Sequence, residues 1–193
     1  MSEERTILQR GLFYEEFEVG TRYLHRPGRT VTEADNVLFT TLTMNAQSLH
    51  LDAAWSATQP FGQRLVNSMF TLSTLVGASV AQLTQGTLVA NLGFGEIAFP
   101  HPVFHGDTLY SETLVTDKRL SVSRPGQGIV SLAHTARNQH GDVVATASRS
   151  ALMWCAGAQP EQPQPEPGST PRPVPHPVPH PGPHDASGSE RHP

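Results

Sequence analysis

The sequence predicts an α+β domain in which one long helix is wrapped by an antiparallel sheet. Residues 67–83 are mostly apolar and have the length of a helix. Four segments with strand character follow them: 87–99, 108–123, 128–138 and 142–154. The last three segments are separated by short turns rich in Gly and Pro, which predict antiparallel hairpins. One helix followed by a long meander is typical of an α+β fold.

The segment before the central helix contains a short strand and two shorter helices. The strand is expected around residues 22–26. A helix should follow, because Thr32 and Asp35 have the spacing of a capping box. Asp52 is expected to cap a further short helix, residues 52–57, which ends before a proline.

The central helix is expected to be buried nearly all round, because apolar side chains cover more than one of its faces. These side chains are Met69, Phe70, Leu72, Leu75, Val76, Val80 and Leu83. Small residues keep one side of the helix thin: Gly77, Ala78, Ser79 and Ala81. We therefore expect the backbone of the sheet to approach the helix closely on that side.

Composition divides the chain into one domain, residues 1–155, and a tail, residues 156–193. The tail is rich in Pro and His and has almost no large apolar side chains, so it is expected to be disordered. Its spaced histidines make a poor preorganised metal site. Cys155 is the single cysteine of the chain, which excludes an internal disulfide.

The charge and hydropathy of the chain exclude several classes of partner. A formal net charge of −4 argues against nucleic acid. No apolar segment is long enough to span a membrane, and the N-terminus lacks the pattern of a signal peptide. The sequence therefore predicts a cytoplasmic protein without membrane contacts.

The polar pair Asn45 and His50 is the strongest chemical signal in the sequence. It lies in the run Thr-Leu-Thr-Met-Asn-Ala-Gln-Ser-Leu-His-Leu-Asp, residues 41–52. This run resembles the signature of the MaoC-like family of (R)-specific enoyl-CoA hydratases, Asp-x-Asn-Pro-x-His followed by a short helix. His50 matches the His of that motif, and Asn45 stands where the motif has its catalytic Asp.

The resemblance extends over most of residues 13–154. Besides the motif, it rests on residues 61–68, on the Pro-containing turn at 99–107 and on the meander that follows. It implies a hot-dog fold, a homodimer and an acyl-CoA thioester as substrate, with no cofactor. The reaction that it implies is the reversible hydration of a trans-2-enoyl thioester to the (R)-3-hydroxyacyl thioester.

The resemblance also implies roles for individual residues. His50 would take the proton from water, with Asn45 holding that water, because an amide cannot ionise. The backbone N–H of Ser68, at the start of the central helix, would polarise the thioester oxygen. Asn67 is a candidate substrate-binding residue. Val76 stands where the family often has a Ser, which implies a different acyl pocket.

The form with Asn at position 45 resembles a branch of the family assigned as mesaconyl-CoA or itaconyl-CoA hydratases. A dicarboxylic substrate of that kind favours an Arg near its distal carboxylate, and Arg64 is the candidate. Two alternatives stay open. One is an acyl-CoA thioesterase in which Asp52 or Glu96 activates water, and the other is a non-catalytic acyl-CoA binding subunit.

No metal site is expected in the folded part. His101 and His105 are four residues apart, a spacing that would suit a metal on a helix. Two prolines in the same run predict an extended loop instead.

Overall fold

The structure, a computed structural model, describes residue 5 and residues 7–160 of the 193-residue chain. Most of the predicted tail, from residue 161 onward, lies outside the described residues, so its disorder and the domain boundary at 155 remain predictions. Within the described part, no helix is both long and apolar enough to cross a membrane.

The sheet has five strands, all paired antiparallel, in the order β1-β3-β4-β5-β2. Their bounds are β1 (Arg22–Thr30), β2 (Leu88–Ala98), β3 (Thr108–Leu120), β4 (Gln127–Arg137) and β5 (Val143–Trp154). The predicted meander is confirmed, and β1 is longer than the predicted strand at 22–26. Strands β1 and β2 are the two edges of the sheet.

Three short helices connect β1 to the central helix: α1 (Glu33–Leu42), α2 (Ser48–Leu51) and α3 (Ala53–Ala57). Both predicted caps are confirmed. The Asp35 amide donates to the Thr32 hydroxyl while the Asp35 carboxylate accepts from the Thr32 amide, at 3.2 and 2.9 Å. The Asp52 carboxylate accepts from the amide of Trp55 at 2.9 Å and so begins α3. The separate turn α2 was not predicted.

The central helix, α4 (Ser68–Ser79), continues as a π-helical turn, Val80–Thr84. The expectation that this helix is buried nearly all round is wrong for the single chain. The buried positions of α4 recur every four residues: Thr71, Leu75 and Ser79. Leu83 continues this face in the π-helical turn, where Thr84 is also buried. One sheet covers only one side of a helix, so of the four small residues Gly77, Ala78 and Ala81 are exposed to solvent and Ser79 is fully buried.

A buried polar row separates two apolar clusters on the inner face of the sheet. One cluster, which includes Leu75, lies near the start of α4, and the other, which includes Leu83, lies at its end. Between them, the Thr113 hydroxyl contacts the His25 ring at 2.7 Å and the His134 ring at 2.8 Å. The apolar cluster near the start of α4 therefore lies on one side of this polar row, and the cluster at the end of α4 lies on the other side.

Candidate active site

His50 lies on α2 and is 8% exposed. The ring Nδ1 donates a 2.9 Å hydrogen bond to the carbonyl oxygen of Leu65, which requires a proton on Nδ1. The tautomer is assigned from this bond. In the neutral ring, Nε2 is therefore the nitrogen with a free lone pair. In this tautomer Nε2 can accept a proton from a ligand but has no proton to donate.

The segment that holds Leu65 is fixed on two sides. The Leu65 amide donates to the carbonyl of Leu49 on α2 at 3.0 Å, and the Val66 amide donates to the carbonyl of Val103 at 2.8 Å. Leu65 also forms an isolated β-bridge with Phe104. These bonds join residues 64–67 to α2 and to the turn at 99–107, so the carbonyl that orients His50 is itself held by the backbone.

The N-terminus of α4 follows directly. Asn67 is 2% exposed, and its side-chain oxygen accepts from the amide of Met69 at 2.9 Å, which caps the helix. The backbone N–H of Asn67 donates to the side-chain oxygen of Asn36 at 2.9 Å. Ser68 is the first residue of α4, so its N–H has no acceptor within the helix, and the helix dipole adds positive potential there.

His50 and Ser68 line one cavity of about 400 Å³, a size typical of small-molecule sites. The remaining lining residues are mostly apolar: Leu49, Phe61, Leu65, Val66, Thr71, Phe99, Pro100, His101, Pro102, Val103 and Val144. The arrangement combines one proton acceptor, one backbone donor at a helix N-terminus and apolar walls. It can bind a carbonyl compound with an apolar chain.

Four predicted site residues lie outside the wall of this cavity. Asn45 is half-buried in the loop between α1 and α2, and Val76 is half-buried on α4. Arg64 donates a 2.6 Å hydrogen bond from its guanidinium to the carboxylate of Glu33, and its side chain is 17% exposed. Asn67 adjoins the cavity in sequence, but its side chain is used in capping.

Neither carboxylate considered for a thioesterase lines the cavity with His50. Asp52 caps α3, as described above. Glu96 is exposed on β2 and lines a separate groove formed with β4 and β5. Among the described residues, no group of three His, Cys, Asp or Glu side chains could hold a metal ion.

Sequence reasoning missed two contributions to the site. His101 was considered only as a metal ligand, yet it lines the cavity, with its Nδ1 donating to the carbonyl of Val143 at 2.9 Å. Asn36 was not singled out, although it is fully buried and contacts both the His50 and the Asn67 backbone. The two buried residues of α1, Asn36 and Thr40, are both polar, so no apolar pattern in the sequence marked this face.

The charges near the site lie beside α1 rather than in the cavity. Burial lowers the pKa of His105, the positive charge of Arg64 lowers it further, and Glu33 opposes both effects. The hydrogen bond and charge of Arg64 lower the pKa of the Glu33 carboxyl, so this carboxylate is ionised near neutral pH.

Comparison with known families decides the assignment. A sequence model described as the MaoC like domain matches residues 16–138, which is most of the described part and includes His50 and Ser68. The chain belongs to the MaoC-like family. All the residues that line the cavity, except Val144, therefore lie in the matched part of the chain.

Curated relatives include two enzymes. The chain is 28% identical over 163 residues to a beta-methylmalyl-CoA dehydratase from Chloroflexus aurantiacus, which covers 81% of this chain and 43% of the relative. It is 26% identical over 143 residues to a mesaconyl-CoA hydratase from Cereibacter sphaeroides, covering 74% of this chain and 41% of the relative. The chain thus spans less than half the length of these two relatives.

Solved structures identify the fold. An (R)-hydratase from Pseudomonas aeruginosa is 26% identical, with a TM-score of 0.61, over 83% of this chain and 97% of that one. A Mycobacterium tuberculosis protein described as a double hot-dog fold is 22% identical, with a TM-score of 0.69, over 79% of this chain and 47% of that one. The predicted α+β hot-dog fold is confirmed.

Proposed function

We propose that the protein is a hydro-lyase that reversibly hydrates an enoyl-CoA thioester to the 3-hydroxyacyl-CoA thioester. The observation that carries the proposal is the common cavity of His50 and Ser68. His50, whose Nε2 is free to accept a proton, and Ser68, whose N–H begins a helix, both line the same apolar space. Names of relatives support the reaction class, because they include a dehydratase and a hydratase of CoA thioesters.

The chemistry needs three functions that this pair can supply. The Nε2 of His50 takes a proton from water as the oxygen adds to the β-carbon of the enoyl group. The electrons move to the thioester oxygen, where the Ser68 N–H and the α4 dipole stabilise the developing enolate. The protonated His50 then returns its proton to the α-carbon. Water is added across the double bond, and the enzyme ends in its starting state.

Asn45 is proposed to orient the water. Its amide can donate and accept hydrogen bonds but cannot ionise, so all proton transfer falls to His50. Asn45 precedes His50 by five residues, in the loop that leads into α2, and a place for its side chain beside the imidazole is part of this proposal.

The finer part of the proposal is a short branched dicarboxylic acyl group, such as mesaconyl or itaconyl. Its support is the name of the Cereibacter relative and the position of Arg64, which immediately precedes the cavity residue Leu65. Because Arg64 is bonded to Glu33 in the free protein, binding a distal carboxylate requires the guanidinium to share or exchange that partner.

The proposed functional unit is a homodimer joined through β2. This edge strand exposes Leu92, Phe94 and Ile97, each more than a third exposed. An apolar unpaired edge favours pairing with another strand. The double hot-dog protein carries two such units in one chain, and a second copy of this chain would supply the second unit here. Light scattering on the purified full-length chain tests this assembly, and a cytoplasmic location stays a prediction from the sequence.

The test of function is to add the purified protein to crotonyl-CoA and, separately, to mesaconyl-CoA. Loss of the absorbance of the conjugated thioester without release of free thiol, abolished in His50→Ala, is the expected result. The preferred substrate then separates a linear from a dicarboxylic acyl group. Release of thiol would instead indicate a thioesterase, and binding without turnover would indicate a non-catalytic acyl-CoA subunit.

A further inference from the structure

Asn36, on α1, is fully buried and its side chain makes hydrogen bonds at both ends. Its amide nitrogen lies 3.3 Å from the carbonyl oxygen of His50, 3.2 Å from that of Leu65 and 3.0 Å from Nε2 of His105. Its oxygen accepts from the amide of Asn67 at 2.9 Å. Asn36 thus joins α1 to α2, to the segment before α4 and to the turn at 99–107.

The orientation of the Asn36 amide is set by these partners. Two of its contacts are backbone carbonyls, which can only accept, so the nitrogen must face them. The Asn67 amide can only donate, so the oxygen must face it. If the side-chain amide of Asn36 were flipped, its oxygen would face the two carbonyl oxygens and its nitrogen would face the backbone N–H of Asn67. A buried polar group with every position specified in this way holds its neighbours in one arrangement.

Asn36 contacts the residues that hold the proposed base, His50, and the proposed donor to the thioester oxygen, Ser68. The Leu65 carbonyl accepts from Asn36 and also from Nδ1 of His50, so one oxygen connects Asn36 to the imidazole. The Asn67 amide held by Asn36 belongs to the residue immediately before Ser68. Asn36 therefore bonds directly to the carbonyl that orients His50. It also bonds to the residue immediately before Ser68, whose N–H is the proposed donor to the thioester oxygen.

His105 contacts the same side-chain nitrogen of Asn36. Its Nε2 must be unprotonated to accept from the Asn36 amide. Burial and the adjacent Arg64 both favour the neutral ring, while Glu33 is the group that opposes them. A neutral His105 is therefore a third acceptor beside the two carbonyls, and because the Asn36 nitrogen carries two hydrogens, two of the three acceptors share one of them.

We propose that Asn36 is a positioning residue that holds the imidazole of His50 and the N–H of Ser68 in the mutual arrangement required for hydration. This inference rests on the proposed function of the same cavity. Asn36 itself does not line the cavity, and it acts through Leu65 and Asn67. Misplacing a reacting group by about 1 Å lowers the rate on the order of 100-fold. The expected consequence of losing Asn36 is a lower kcat rather than weaker binding.

The test compares two substitutions of Asn36 with a matched control. Asn36→Leu has nearly the same size and loses both hydrogen-bonding ends, whereas Asn36→Asp keeps the acceptor for Asn67 and loses the donor to Leu65. Thr40→Val is the control, because Thr40 is also fully buried on α1 and bonds the Asn36 and Asn67 side chains without contacting His50 or Leu65. It reports the cost of removing a buried polar group from the same region.

The expected kinetic result is a kcat that falls on the order of 100-fold in Asn36→Leu, with KM changed less than about threefold. Thr40→Val should keep kcat within about threefold of the original protein. The second readout is the ¹⁵N chemical shift of the ring nitrogens of His50, assigned with His50→Gln. In the original protein Nδ1 should appear protonated and Nε2 unprotonated, and both Asn36 variants should shift toward a mixture of tautomers.

The two readouts separate the possible outcomes. Unchanged ring shifts in both folded Asn36 variants, or a loss of kcat no larger than that of Thr40→Val, would overturn the positioning role. If the original protein hydrates neither thioester, the proposed function fails, yet the ring shifts still decide whether Asn36 orients His50. Circular dichroism of each variant establishes that it is folded before either comparison is made.

Discussion

Nδ1 of His50 and the carbonyl oxygen of Leu65 lie 2.9 Å apart, so the ring is held with its other nitrogen free to act as a base. His101 provides an imidazole in the same cavity whose Nδ1 is likewise bonded to a carbonyl, that of Val143. The two rings differ in burial, because His50 is buried and His101 is exposed. A buried base is shielded from bulk water, so the proposed chemistry belongs to His50.

His50→Gln is expected to lower kcat for crotonyl-CoA hydration by about 10²- to 10⁴-fold, the usual range for loss of a general base. His101→Gln is the matched control and should change kcat less than about fivefold. Initial rates at saturating substrate measure both effects. Equal losses in the two variants would mean that the cavity needs both rings and that His50 has no special role.

Replacing Asn45 tests whether it holds the water. Asn45→Leu should lower kcat on the order of 100-fold, because the side chain can no longer bond the nucleophile. Asn45→Asp should retain activity, since a carboxylate can accept from the same water and can also ionise. Steady-state kinetics on crotonyl-CoA measure both. A wild-type kcat in Asn45→Leu would exclude contact between Asn45 and the reacting water.

Ser68 offers a substitution that removes a backbone donor without breaking the helix. Proline lacks the N–H and suits the first position of a helix, and the preceding Asn67 has the extended ψ of 124° that a residue before proline requires. Ser68→Pro should therefore lower kcat by about 10²- to 10³-fold, as for loss of an oxyanion donor. Ser68→Ala keeps the N–H and should stay within about threefold. Full activity in a folded Ser68→Pro protein would contradict the assigned role of this amide.

Arg64→Gln tests the dicarboxylic substrate. If Arg64 binds the distal carboxylate, KM for mesaconyl-CoA should rise about 10- to 100-fold, the value of a hydrogen bond to a charged group. KM for crotonyl-CoA, which has no second carboxylate, should stay within about twofold. Glu33→Gln is the control, because it removes the partner of Arg64 and leaves the guanidinium in place. Equal changes for both substrates would limit Arg64 to a structural pair with Glu33.

The sequence predicted the elements whose signals are local and missed those that depend on tertiary contacts. Thr32, Asp52 and the turns of the meander act through neighbouring residues, so their structures could be predicted. The exposure of Gly77 could not, because it depends on which side of α4 the sheet covers. Asn36 illustrates the same limit in the site, since its partners outside α1 lie 14 to 69 residues away in the sequence.

His134 makes stability depend on pH in a predictable direction. Burial, followed by the charges of Arg149 and His25, lowers its pKa to about 4, against an ordinary value of 6.5. Between these values the unfolded chain binds a proton that the folded protein does not. His134 is therefore expected to leave the free energy of unfolding unchanged above about pH 6.5 and to lower it by roughly 3 kcal/mol as the pH drops to about 4.

Urea unfolding at about pH 7 and pH 4.5 measures this dependence. His134→Gln should be less stable at neutral pH, because the bond to the Thr113 hydroxyl is altered, but it should lose less stability on acidification than the original protein. His140→Gln is the matched control, since His140 is exposed in the turn between β4 and β5 and should leave the pH dependence unchanged. A slope that is the same in all three proteins would show that another group, such as His25, whose pKa burial also lowers, controls the acid loss.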